Sequence, residues 1–117
     1  AMDKLKKMYP NKQIVLLTPI HRAYANFSDT NIQPSEAYQN CCGEYFDKYV
    51  KCVKEAGNIW SVPVIDLNSL CGLYPLEKEQ LIYFNNKDTD QLHPNALGQE
   101  RMAKTILWQL SALPCTF

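Results

Sequence analysis

The chain has 117 residues, 46% of them hydrophobic and 21% charged, and its 12 basic residues balance 12 acidic ones to a formal net charge of zero. That length allows one domain at most, and the balance excludes both the basic surface of a nucleic-acid binder and the acidic run of a solvating tail. The longest purely apolar stretch, Ile14 to Leu17, is far short of a membrane span.

Ala1 ahead of Met2 reads as a residue left from a cleaved tag, which makes Met2 the expected start. No apolar leader follows it, and the compartment stays open. Asp3 to Tyr9 has a short helical pattern, stopped by Pro10-Asn11. Gln13 to Thr18 is a continuous apolar run between turn residues, the pattern of a strand covered on both faces. Pro19 closes it, and a polar loop from Ile20 to Pro34 carries His21 and Arg22.

From Ser35 to Ala56 the apolar residues Tyr38, Cys41, Cys42, Tyr45, Phe46, Tyr49, Val50 and Val53 recur in three- and four-residue steps. That is the stripe of a helix packed on one side, and Gly57-Asn58 is its expected stop. Val62 to Leu67 reads as a second buried strand, with Pro63 tolerated near its beginning. Asn68 to Asn86 is less regular, with one helical turn expected over Glu77 to Leu81. Asn95 can cap a final helix from Ala96 to about Leu110, its expected inner face being Leu97, Met102, Ala103, Ile106, Leu107 and Leu110.

Strand, helix, strand and helix in this order make an α/β pattern with parallel strands. Two buried-type strands form a poor sheet by themselves, so the chain reads as a single incomplete domain over 1–117, with further strands expected upstream. The five cysteines include no CxxC pair, which argues against a zinc or redox motif. Buried thiols are expected rather than a disulfide framework.

Ligands of open α/β sheets bind at the carboxyl ends of the strands. Two segments belong there: the loop with His21 and Arg22, and the connection Asp88 to Pro94 leading into the last helix. Asp90 and His93 stand three residues apart, which lets a carboxylate turn back onto the imidazole Nδ1–H and leaves Nε2 free to take a proton. Pro94 holds His93 extended and pre-forms the first helical turn. The same spacing also suits a polar loop ending in a helix cap. Arg22 could bind an anionic group of a ligand, or belong with His21 to a solvated loop. Asp88, Asp90 and His93 could chelate a metal, but no further ligand cluster supports that and no metal is expected.

The stretch from Asp90-Gln-Leu-His93-Pro94-Asn95 through Gly98 to Ala103 resembles the last motif block of the SGNH hydrolases, also called GDSL lipases or esterases. Tyr9 to Pro19 is similar to the strand that follows the family's third block. The resemblance implies the C-terminal part of a flavodoxin-like three-layer α/β/α sandwich that hydrolyses esters without a cofactor. It makes His93 the general base and Asp90 its orienting acid. It also implies a serine in a Gly-Asp-Ser block and oxyanion donors from earlier blocks, for which this sequence has no counterpart. Ser28, Ser35, Ser61, Ser69 and Ser111 all lack that context, and there is no Gly-x-Asn-Asp. The expected partner is a small-molecule or carbohydrate ester, taken by a longer enzyme, while this chain alone is expected to be inactive. The alternative is a non-catalytic α/β module forming homo-oligomers through exposed strand edges.

Overall fold

The computed structural model describes residues 1–21, 36–75 and 77–114, with residues 36–46 described as backbone only. It is a mixed α/β structure with one small parallel and one small antiparallel sheet. Helix α1 (Met2–Met8) leads into strand β1 (Leu16–Leu17), and helix α2 (Glu36–Trp60) leads into strand β2 (Val64–Ile65). A short helix α3 (Leu67–Leu70) and a 3₁₀ helix (Lys78–Tyr83) follow. Strands β3 (Phe84–Asn86) and β4 (Asp90–Pro94) form a hairpin, and helix α4 (Ala96–Ala112) ends the described chain. Among the described residues no helix is long and apolar enough to cross a membrane.

Strands β1 and β2 are parallel, with Leu16 opposite Val64 and Leu17 opposite Ile65. Side chains alternate across a strand. Val64 accordingly meets α2, where its Cγ2 lies so close to Gly57 that any Cβ there would collide with it. Ile65 points the other way, into a core with Leu67, Cys71, Leu73 and Phe84, against which Met102, Ile106 and Leu110 of α4 pack. Burying a side chain such as Ile65 or Leu73 contributes about 1.5–3 kcal/mol.

Gly57 is therefore a contact residue and not the helix stop that the sequence suggests. Helix α2 runs on to Trp60 and ends at Ser61, which takes the left-handed conformation with φ 51°. The Val62 N–H donates to the Gly57 carbonyl at 2.9 Å and the Ser61 N–H to the Asn58 carbonyl at 3.4 Å, the two bonds of a Schellman end. Glycine usually fills that position, because a Cβ is disfavoured there. Ser61 is exposed and its side chain makes no hydrogen bond among the described residues. Ser61→Gly is expected to raise stability by about 0.5–1 kcal/mol, less than the full relief of strain because glycine loses more entropy on folding. A urea midpoint equal to or below that of the parent would contradict this.

Two expected helix faces hold in part. Tyr49 of α2 is 70% exposed, while Val50 is buried and the packed line continues through Val53 to Gly57. The expected aromatic stripe over Tyr38, Tyr45 and Phe46, with Cys41 and Cys42, lies outside the described side chains. In α4, Leu97 is 54% and Leu107 67% exposed, and Ala103 is exposed as well. The packed line keeps the expected Met102, Ile106 and Leu110 and adds Gly98, Arg101 and Thr105. Arg101 holds its place because its Nε–H donates to the Cys71 carbonyl at 2.7 Å and its guanidinium lies 4.9 Å from the centre of the Tyr83 ring. Cys71 is a buried free thiol as expected, but Cys52 is free and exposed, on the solvent side of α2.

Candidate functional site

The segment read as a loop, Asp88 to Pro94, is largely a β-strand. The turn that makes this possible is closed by Asn86, whose Oδ1 accepts the backbone N–H of Asp88 at 2.8 Å and of Thr89 at 3.0 Å. Strand β4 then returns antiparallel to β3, with Phe84 opposite Pro94 and Asn86 opposite Asp90 and an irregularity between the two pairs.

Asp90 is only 7% exposed. Its Oδ1 accepts the backbone N–H of Leu92 at 3.2 Å and of His93 at 3.0 Å. Its Oδ2 accepts the side-chain amide of Asn85 at 3.0 Å. The imidazole Nδ1 of His93 stands 3.1 Å from both carboxylate oxygens. Burial by itself pushes the Asp90 carboxyl up. The bonds from the His93 N–H, the Asn85 amide, the Leu92 N–H and the imidazole together outweigh it and bring the pKa down to about 2. At neutral pH Asp90 is thus a carboxylate and only an acceptor, so Nδ1 must be the nitrogen carrying the proton.

The His93 side chain is 63% exposed, and Nε2 has no partner among the described residues. The pair is therefore one buried anion, one imidazole oriented by it, and one basic nitrogen facing outward. That arrangement can take a proton from a hydroxyl or water and return it to a leaving group. No hydroxyl or thiol hydrogen-bonds His93 among the described residues. Ser69 donates to Asp66 and Ser111 donates to the Leu107 carbonyl, while Ser28 and Ser35 lie outside the described residues.

The pair is seated by Asn95, the expected helix cap. Its Oδ1 accepts the Gly98 N–H at 3.1 Å, its Nδ2 donates to the carbonyls of Ile82 at 2.7 Å and Phe84 at 2.9 Å, and its own N–H donates to the Tyr83 carbonyl at 2.9 Å. One residue thus ties the 3₁₀ helix, the hairpin and the start of α4 together, two positions after His93.

His21 is half-buried, edge-on to the Tyr74 ring with centroids 5.0 Å apart. No described bond or ring contact joins it to Asp90 or His93. Arg22 lies outside the described residues. The carboxyl ends of β1 and β2 are occupied by a polar cluster that the sequence did not single out. Buried Thr18 donates to Asp66 Oδ1 at 2.9 Å and accepts the Asn68 N–H at 3.0 Å. Asp66 also caps α3 by accepting from the Ser69 N–H and hydroxyl, and it forms an ion pair with Lys54. Burial raises the Asp66 carboxyl, but Lys54, Ser69 and Thr18 lower it further than burial lifts it. The Asp66-x-x-Ser69 cap after a strand is the signal that could have found this cluster, whose bonds join the chain's own side chains and backbone.

Among the described residues no three His, Cys, Asp or Glu side chains group as a metal site. A depression of about 630 Å³ on the hairpin side is lined by Lys78, Leu81, Ile82, Phe84, Lys87 and Asp88, and does not include His93.

The chain matches no protein-family model and no curated protein. A solved structure is similar to it over 96% of this chain, with a TM-score of 0.66 and 22% sequence identity. The likeness is one of fold. This chain spans about half, 48%, of the length of that structure.

Proposed function

We propose that this chain supplies the acid–base half of an SGNH-type serine ester hydrolase, as the C-terminal part of a flavodoxin-like α/β/α sandwich. The observation that carries the reading is the buried Asp90 carboxylate holding His93 through Nδ1 while Nε2 faces solvent. The parallel β1–β2 pair, with α2 against Val64 and α4 against Ile65, supports the fold part of the proposal. So does the similarity to half of a longer solved structure.

In this reading a serine and its oxyanion donors come from residues outside the chain. His93 Nε2 takes the serine proton as the hydroxyl attacks the ester carbonyl, then delivers it to the departing alcohol. Water attacks the acyl-serine in the second half, again giving its proton to Nε2. Asp90 stays ionised throughout and stabilises the imidazolium. The substrate class is a small-molecule or carbohydrate ester with an acetyl or short acyl group.

Without nucleophile or oxyanion donors, the 117-residue chain is expected to hydrolyse p-nitrophenyl acetate no faster than buffer. The same chain joined to the preceding residues of its gene is expected to be active, and to lose more than ~10³-fold of kcat on His93→Ala. Turnover by the chain alone that depends on His93, or an inactive longer chain, would sink the proposal. The rival reading, an α/β module pairing through strand edges, draws on the absence of any further strand beside β1 or β2 among the described residues. A defined dimer in light scattering, together with an inactive longer chain, would favour it.

A further inference from the structure

Asn85 lies outside the Asp-x-x-His segment, on the opposite strand of the hairpin. Asp90 Oδ1 is anchored by two N–H groups of its own strand, Leu92 and His93. These bonds fix one oxygen but leave the other to be placed by whatever donor faces it. Among the described residues, the only donor there besides the imidazole is the Asn85 amide, 3.0 Å from Oδ2. The imidazole needs that second oxygen in place, because its Nδ1 is shared equally between the two at 3.1 Å.

We propose that Asn85 is a positioning residue for the Asp90–His93 pair, its amide fixing the carboxylate so that His93 is held as the Nδ1–H tautomer with Nε2 free to accept a proton. This rests on the acid–base reading of the pair given above. The choice of an amide follows from chemistry. An NH₂ group facing a carboxylate only donates, so it stabilises the anion without competing for the imidazole proton. A carboxylate at position 85 would do the reverse: two acids in contact share a proton, and Asp90 would be partly protonated where it must be an acceptor. Asn85 is itself exposed. Its contribution is therefore directed at the carboxylate and not at the core.

The experiment is ¹⁵N NMR of His93 in the 117-residue chain at about pH 8, where the tautomers are distinguished by their ring nitrogen shifts. Asn85→Leu and Asn85→Asp are compared with the parent, alongside thermal unfolding and a ¹³C titration of Asp90. The parent is expected to be mainly Nδ1–H. Asn85→Leu is expected to lower the Nδ1–H to Nε2–H ratio at least threefold, and Asn85→Asp to raise the Asp90 midpoint by about one unit or more. A lower melting temperature with the tautomer ratio unchanged would make Asn85 a hairpin tie only, and overturn the proposal. Loss of the fold in both variants would overturn it in the same way. The readout needs no catalysis, so an inactive longer chain with a shifted tautomer ratio would remove the esterase reading and leave Asn85's role standing. A parent mainly in the Nε2–H form would overturn both.

Discussion

Gly98→Ala is expected to cost the protein about 3 kcal/mol, although alanine is the better helix former. A Cβ at position 98 would collide with the Tyr83 carbonyl oxygen and stand 2.8 Å from Cβ of Pro94. Neither neighbour is the loose end of a side chain. The Tyr83 carbonyl is already held by the Asn95 N–H, and Pro94 is a ring fixed in β4. Relief requires α4 to retreat from the hairpin, which stretches the Asn95 bonds and opens the contacts of Met102 and Ile106 with the core. Such a loss is a large share of the roughly 5–15 kcal/mol that holds a domain of this size. Urea unfolding followed by circular dichroism measures it. A midpoint at or above that of the parent would refute the packing argument, since helix propensity alone would raise it.

Asp90→Ala is the second large effect, and it has a pH signature. The substitution leaves the N–H groups of Leu92 and His93 and the Asn85 amide without their acceptor, at a cost of about 3 kcal/mol near neutral pH. Part of that cost is electrostatic and titrates. The folded carboxyl lies at about 2, below its ordinary value of 3.8, so the folded state favours the ionised form. The stabilisation is complete above the unfolded value and disappears as pH falls from about 5 through 2. It amounts to on the order of 1–2 kcal/mol, allowing for screening on the open side of the pair. Asp66 titrates in both proteins, so the comparison cancels its share. The gap in unfolding free energy between parent and Asp90→Ala is therefore expected to narrow between pH 7 and pH 2.5. A gap that stayed constant would show that the carboxylate's charge contributes nothing.

What could be read from the sequence was mostly local. Asp90 and His93 are three residues apart, and Asn95 is three before Gly98, so both contacts are settled within one turn of chain. The two long helices and the two parallel strands announced themselves by apolar period and by apolar runs. The hairpin did not, because Phe84-Asn-Asn and Asp90-Gln-Leu-His lack the alternating β-branched and aromatic residues that mark strands. Their pairing is imposed by the Asn86 turn and by Asn95 from outside.

The part of α4's packed face that the sequence missed was hidden for a different reason. Its packed line includes Arg101 and Thr105, polar by type, while Leu97 and Leu107 face outward. Arg101 is inside only because the Cys71 carbonyl and the Tyr83 ring are there to receive it, and both are distant in sequence. Gly57 carries no mark distinguishing a contact glycine from a stop. Asn85 is likewise an ordinary asparagine until the hairpin register brings it to Asp90.

The bonds of Asn95 have a consequence for motion. They link the 3₁₀ helix, β3 and the first turn of α4, so these segments are expected to open as one cooperative unit and not piece by piece. Fraying of α4 from its Ala112 end is expected to stop short of that unit. His93 therefore inherits the lifetime of the whole unit, and its ring keeps its aim even though most of its surface is in water.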